Sequence, residues 1–196
     1  MKVRRLVACI VLLAVLLCAC ASDSKSVAES VDRALAQLEK PLGEAYTDMG
    51  FAGDPEDARL AHYLYAEDSA EILGKSFVTC LVYFGDCMED ESLTEKPTSS
   101  VYYTALLNDD YAYALRLYNA LCETYGAAGS VADSHLLQGE TADSLKQLDG
   151  ISCSASWETE GKEIVLSVYC GENSRIGLEI QTPYTRDLSR NDILAE

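Results

Sequence analysis

Cysteine and histidine are the residue types in this sequence best suited to nucleophilic or metal chemistry. Five of the eight cysteines follow Cys20, at Cys80, Cys87, Cys122, Cys153 and Cys170. The two histidines, His62 and His135, have no second ligand three or four residues away, which is the spacing of close zinc-ligand pairs. Cys80 and Cys122 fall on apolar stretches, so we expect structural thiols rather than a Cys–His nucleophile pair. These side chains therefore predict no catalytic residue, no metal ligand and no cofactor.

The acidic residues are too numerous to single out a functional pair. The chain contains 32 Asp and Glu residues. Their densest run, residues 86–91, could contact Ca²⁺, but it lacks the spacing of an EF-hand loop. A run of like charges is usually a solvated surface. We therefore predict neither a calcium site nor a carboxylate pair for glycoside hydrolysis.

Tyrosine is over-represented, with 12 Tyr against 3 Phe. Because neighbouring side chains on a strand point to opposite faces, one of Tyr102 and Tyr103 should meet solvent. Tyrosine is enriched in protein interfaces, which makes Tyr102, Tyr103 and Tyr113 candidate interface residues. The alternative is that half-buried tyrosines simply line a sheet, a use that suits the amphipathic ring equally well.

Cys153 and Cys170 lie on two neighbouring predicted strands and are candidates for a disulfide. If Gly161–Lys162 are the central residues of a type II′ turn, Glu160 pairs with Glu163. Cys153 then lies directly opposite Cys170, where facing β-carbons can come within bridging range.

Two other turns remain open for this hairpin. A turn centred on Glu160–Gly161 pairs Thr159 with Lys162, avoids the repulsion between Glu160 and Glu163, and leaves the cysteines diagonal on the same face. A three-residue loop with a bulge would put the cysteines on opposite faces and forbid the bond. The alternative disulfide partners are Cys80, Cys87 and Cys122.

The periodicity of apolar residues predicts two main helices that would position these side chains. Ser26 is a predicted N-cap for a helix that ends before Pro41. Asn108 and Asp109 are predicted to cap a second helix, which extends to Tyr125 and is followed by Gly126. The apolar stripe of this second helix comprises Tyr111, Ala114, Leu115, Tyr118, Leu121, Cys122 and Tyr125, with Tyr118 at its centre and Arg116 facing away.

Alternation and turn residues predict the strands. After one helical turn at residues 54–57 we expect a strand through 62–66, and the alternative is a helix with Leu60, Tyr63 and Leu64 on one face. Further predicted elements are strands at residues 76–84, 100–107, 152–157, 163–170 and 175–181, and a short helix at 142–148. The predicted fold is therefore α+β, an antiparallel sheet packed by two main helices, with a suggested internal helix-plus-strands duplication. This element order resembles exported binding proteins of the β-lactamase inhibitory protein family, which implies binding to other proteins rather than catalysis.

The first twenty residues have the pattern of a secretory signal. Lys2, Arg4 and Arg5 precede an apolar run over residues 6–17. This run is shorter than the stretch of roughly 20 residues that a spanning helix needs. It ends in Leu17-Cys18-Ala19-Cys20, which resembles the lipobox of bacterial lipoproteins. The resemblance implies cleavage before Cys20 and a diacylglycerol on its sulfur, whereas the alternative is an uncleaved anchor.

The expected organisation follows from this pattern. We predict a signal peptide at 1–19, the lipidated cysteine with a short tether at 20–26, and one α+β domain at 27–196.

The strong net negative charge of the chain argues against some classes of binding partner. The formal charge is −17, and removing residues 1–19, which carry three basic and no acidic side chains, leaves −20. Such a surface repels phosphate backbones and anionic headgroups, so we expect no nucleic-acid binding and membrane contact only through the lipid on Cys20. We expect a lipid-anchored protein on the extracytoplasmic face of the cell membrane, acting as a binding or envelope-structural module for an unknown protein or envelope component. The alternative is a small cell-envelope hydrolase with an unidentified active site, which a deep polar pocket would favour.

Overall fold

A computed structural model of the chain describes residues 22–60, 63–85, 92–131 and 134–183. The helices in these ranges are α1 (residues 22–35), α2 (Leu42–Asp48), α3 (Tyr111–Tyr125) and α4 (Ala142–Leu145), with a 3₁₀ turn at Leu93–Glu95. The strands are β1 (Arg59–Leu60), β2 (Tyr63–Ile72), β3 (Lys75–Val82), β4 (Ser100–Leu106), β5 (His135–Leu136), β6 (Ser152–Thr159), β7 (Lys162–Tyr169) and β8 (Arg175–Gln181). The predictions about Cys20, His62, Cys87 and the acidic run at 86–91 lie outside the described residues.

The strands form an eight-stranded sheet in the order β1-β2-β3-β4-β8-β7-β6-β5. Every neighbouring pair is antiparallel except β5 and β6, which are parallel. Two antiparallel meanders, β2-β3-β4 and β6-β7-β8, meet through their last strands. The predicted α+β class with an antiparallel sheet is confirmed. Helices precede the meander in each half, which is the order that the suggested duplication predicts.

Helices α1, α2 and α3 pack on one face of the sheet. Val31 of α1, Leu42 of α2 and Leu117 of α3 are fully buried and belong to one apolar cluster. The same cluster contains Tyr103 and Leu178, which are paired across β4 and β8. Because alternate strand residues point to the same face, this face of the sheet contributes one residue in two to the core. We call the opposite face of the sheet the open face.

Helix α1 differs from its prediction at its beginning. Residues 22–26 are already helical, so Ser26 is an interior residue whose carbonyl accepts a hydrogen bond from the Ser30 hydroxyl. Residues 22–26 of the predicted tether at 20–26 are therefore part of the helix. Asp23 and Ser24 bond to side chains of α3, and such long-range partners are not visible in local sequence.

Helix α3 is capped by Asp110 rather than by Asn108 or Asp109. The Asp110 side chain accepts a hydrogen bond from the Tyr113 backbone N–H at 3.1 Å. The buried face of the helix is centred on Leu117, whereas Tyr118 is half-buried against the Trp157 ring, 6.0 Å away between centroids. The predicted apolar stripe, centred on Tyr118, is therefore rotated by one residue from the observed buried face.

The end of α3 agrees with its prediction. Gly126 has φ 87° and lies in the left-handed region. Glycine adopts this conformation without a steric penalty, which is why it commonly follows the last helical residue.

The β6–β7 hairpin has the second of the three predicted turns. Thr159 pairs with Lys162. The two turn residues, Glu160 (φ 51°) and Gly161 (φ 73°), both have positive φ, as in a type I′ turn. The prediction of a type II′ turn at Gly161–Lys162 is wrong. The observed turn matches the right-handed twist of the strands, and it pairs Glu163 with Glu158 instead of Glu160.

Candidate functional site

The open face of the sheet is the candidate functional site. Its apolar and aromatic residues all lie outside the buried cluster that joins helices and sheet, and each is partly or fully exposed. They are Tyr63, Tyr65, Val78, Cys80, Val82, Tyr102, Leu106, Val165 and Tyr169. An extended apolar surface that the helices do not cover is typical of an interaction site.

Three tyrosines surround Cys80 on this face, and we call Tyr63, Tyr65, Tyr102 and Cys80 the tyrosine cluster. Cys80 pairs with Tyr65 on β2 and with Tyr102 on β4, so the three side chains form a row across the strands. Tyr63 lies two residues before Tyr65 on the same face. The cluster therefore presents a band of phenol rings about 10 Å wide, two strand spacings.

The environment of the cluster favours contact rather than nucleophilic chemistry. Burial raises the pKa of the Cys80 thiol to about 11, so the thiol is protonated near neutral pH. Burial, and then Cys80 and Tyr65, raise the pKa of Tyr63. Burial raises the pKa of Tyr102, a hydrogen bond with Thr104 lowers it, and Glu179 raises it. Neutral phenols and a neutral thiol offer area and hydrogen bonds to a partner.

The ring of Tyr102 is held by the neighbouring strand. Its hydroxyl occupies the position that a β-carbon on Gly177 would take, so the ring covers the bare backbone of β8. A glycine is required there because any side chain would displace the ring. The orientation of Tyr102 is thus set before any partner binds.

Two pairs of polar side chains on the open face are hydrogen-bonded to each other. The Ser100 hydroxyl donates to Glu179 at 2.8 Å, and the Gln181 amide donates to Glu163 at 2.8 Å. A partner that binds here would meet the rings and aliphatic side chains together with the charged groups of Glu163, Arg175 and Glu179. The face ends in a row formed by Leu106 (52% exposed), Arg175 and Tyr169 (43% exposed).

Of the three predicted interface tyrosines, Tyr102 lies on the open face and the other two do not. Tyr103 is buried and donates a hydrogen bond to the Ser30 carbonyl at 3.3 Å. Tyr113 is buried and donates to the Ile72 carbonyl at 2.7 Å. Placing these two at an interface is wrong, because their rings fill the space between helices and sheet. The alternation of Tyr63 and Tyr65 was the sequence signal for the residues that the prediction missed.

Cys153 and Cys170 are both fully buried and are free thiols. Cys153 pairs with Val168, while the Cys170 backbone N–H donates to the Ile151 carbonyl, so the cysteines are diagonal rather than opposite. The prediction that they face each other directly is wrong, for the reason that the turn is centred one residue earlier. Burial and the neighbouring Cys170 raise the pKa of Cys153 to about 12, which makes it a poor nucleophile.

One cluster outside the open face contains the residue types of a hydrolase. Glu140 accepts hydrogen bonds from His135 at 2.7 Å and from the Ser144 hydroxyl. These two bonds, with the Ser144 contact first, hold the pKa of Glu140 below its usual value. Both the serine and the histidine bind the carboxylate, so the histidine is not placed to take the serine proton. Ser144 also forms the capping box of α4 with Thr141, which is a structural role.

The described part of the chain has open grooves with volumes of ≈ 630, ≈ 600 and ≈ 430 Å³. Within the described ranges, no three His, Cys, Asp or Glu side chains come together as a metal site would require. Among the same residues, none of the helices has the length and apolar character needed to cross a bilayer.

Comparison with known proteins returns no relative. No protein-family model, no curated protein and no solved structure matches this chain. The resemblance to bacterial lipoproteins and to the β-lactamase inhibitory protein family therefore stays a prediction.

Proposed function

We propose that this protein is a lipid-anchored extracytoplasmic lipoprotein that binds a partner protein of the cell envelope through the open face of its sheet. The observation that carries the binding role is the tyrosine cluster, which lies outside the core and has one ring held in place over Gly177. Rings with few rotatable bonds lose little conformational entropy when they are buried by a partner. Tyrosine is for that reason over-represented in binding surfaces.

The shape of the face favours a macromolecule over a small ligand. Small molecules bind in enclosed cavities that bury most of their surface. The open face instead extends over strands β2, β3, β4, β8 and β7, a width of about 20 Å at the usual strand spacing. An area of this width suits a protein interface, whose fully buried centre is typically aromatic and poor in charge.

The proposed location at the membrane depends on the N-terminal sequence pattern. The described helix begins two residues after Cys20, so an acyl group on that cysteine would tether the folded domain directly. The acidic surface makes a lipid anchor the physically favourable route to a membrane, since anionic headgroups repel the rest of the chain.

Cys20→Ser is expected to abolish anchoring. Without the thiol no thioether to diacylglycerol can form, and a protein that carried two or more acyl chains would lose the free energy of burying them, about 0.8 kcal/mol per CH₂. Intact-mass analysis of the purified protein should show an acylated Cys20 at the N-terminus, and fractionation should find the variant released from membranes. Cys122→Ser is the matched control and should remain anchored. An unmodified Cys20 in the natural chain would refute the anchor.

If the open face binds a partner, a photo-crosslinking residue placed on that face should capture the partner. A photo-crosslinking residue at Thr104 should give one discrete adduct in intact cells, while the same residue at exposed Gln147, near the end of α4, should not. Tyr65→Ala should weaken capture at least tenfold, because interface tyrosines are frequent hot spots worth about 2 kcal/mol or more. Equal adducts from both positions, or capture that does not depend on Tyr65, would reject the open face as the binding surface.

A further inference from the structure

We propose that the outer side of helices α1 and α3 rests on the lipid bilayer, so that the open face of the sheet points away from the membrane. This orientation depends on the proposed anchor at Cys20. It adds a second interaction surface, whose partner is a lipid surface, and it explains how the tyrosine cluster would stay accessible to a protein partner.

The first step is that the beginning of α1 is fastened to the outer side of α3. Arg116, an exposed residue of α3, donates two hydrogen bonds to the two carboxylate oxygens of Asp23. This contact holds the pKa of the Asp23 carboxyl below its usual value. Ser24 donates to Glu123, and Thr124 donates to the Ser24 carbonyl at 3.4 Å. A planar guanidinium bound to both oxygens fixes direction as well as distance.

The second step is the reach of the chain. Cys20 is three residues before Asp23, and an extended chain covers at most about 3.6 Å per residue. Three residues at full extension span about 11 Å, which limits how far an acyl group attached to Cys20 could be from Asp23. With so short a connection, acyl chains attached to Cys20 enter the bilayer beside the outer side of α3.

The third step is the character of the surface at this point. A groove of ≈ 630 Å³ lies along α3 between Asp23 and α4. Its lining is mostly small, apolar or uncharged, with Ala112, Leu115, Asn119, Cys122 and Ala142. The charge of Asp23 is balanced by Arg116, which leaves Glu123 as the unbalanced charge among the lining residues. An anionic headgroup layer repels this nearly neutral, partly apolar surface only weakly, although the whole chain has a formal charge of −17.

The fourth step is the thickness of the molecule. Helix α3 lies between this groove and the sheet, and a helix with its side chains is about 10 Å across. The open face is on the far side of the sheet. An anchor at the groove therefore holds the tyrosine cluster more than ~10 Å from the lipid surface.

Fluorescence quenching in vesicles tests the orientation. The acylated full-length protein, carrying a fluorescent amino acid at either Asn119 or Thr104, is reconstituted in phosphatidylcholine vesicles that contain a headgroup spin label. We expect quenching at Asn119 to exceed quenching at Thr104 several-fold. Equal quenching, or stronger quenching at Thr104, overturns the orientation.

Two controls separate the orientation from the anchor. Mass analysis of the same preparations reports acylation of Cys20, and a missing acyl group would defeat both proposals, whereas acylated protein with equal quenching defeats the orientation alone. Insertion of a flexible Gly/Ser linker between Ala21 and Ser22 should leave acylation intact and reduce the Asn119 signal to that of Thr104. If the linker leaves the difference unchanged, the short connection is not what orients the domain, and the proposal fails.

Discussion

Tyr103→Ala is expected to lower the free energy of unfolding by about 3 to 5 kcal/mol, the usual cost of deleting a buried aromatic ring. Tyr103 is 1% exposed and lies in the middle of β4, with the helices packed over it. Truncation would leave a cavity between α1 and the sheet, and it would remove the hydrogen bond to the Ser30 carbonyl. A loss of this size is a large fraction of the whole stability of a small domain.

Tyr102→Ala is the matched control, since it changes the same residue type one position earlier on the same strand. Tyr102 is half-buried on the open face, so its loss should cost about 1 kcal/mol. Urea denaturation followed by circular dichroism measures both variants. If the two variants lose equal stability, the assignment of the core face and the open face is wrong.

Alkaline pH is expected to unfold the protein through its buried tyrosines. Burial raises the pKa of Tyr103 to about 12, although Arg33 lowers it, and burial also raises the pKa of Tyr113. The unfolded chain titrates its tyrosines near 10, so above that pH the folded state binds more protons than the unfolded state. The contribution of these tyrosines to the free energy of unfolding is therefore fully present below about pH 10. It is lost as the pH rises toward 12, by up to about 1.4 kcal/mol per pH unit for each tyrosine.

Replacement by phenylalanine isolates this effect. Tyr103→Phe and Tyr113→Phe keep the rings but cannot ionise, so each should flatten the fall in stability above pH 10. Tyr113→Phe should also cost about 1 kcal/mol at neutral pH, because the Ile72 carbonyl loses its partner. Tyr169→Phe is the control for removal of a hydroxyl from an exposed ring. The test is the midpoint of urea denaturation of each variant, measured from pH 10 to pH 12. If the midpoints of all three variants fall equally steeply with pH, the prediction is contradicted.

The helix α3 and the last three strands could be predicted because their signals are local. Apolar residues at helical spacing precede Gly126, and Ile164, Leu166 and Val168 alternate with more exposed residues. Such periodicities show that one side of an element is buried. The periodicity does not show which neighbouring element covers that side. For this reason the predicted centre of the buried face of α3, Tyr118, is one residue away from the observed centre, Leu117.

The turn of the β6–β7 hairpin could not be chosen from the local sequence alone. Three turns were compatible with the sequence around Gly161, and each places Cys153 differently relative to Cys170. The type I′ turn accompanies continuous pairing along the full length of β6 and β7, and it suits the right-handed twist of the strands. A shift of one residue in the centre of the turn moves every pair, and this turned the facing cysteines into diagonal ones.

By itself the sequence determined the α+β class, the acidic composition, the main elements and the opposite orientations of Tyr102 and Tyr103, since these follow from composition and period. Only the tertiary structure decided which of the two tyrosines is buried, because the sheet has one covered and one open face and the pattern of a strand is symmetric between them. It also decided that residues 22–26 are helical, since Asp23 and Ser24 find their partners far along the chain, on α3. Interactions over that separation are absent from local sequence and appear only when the chain is folded.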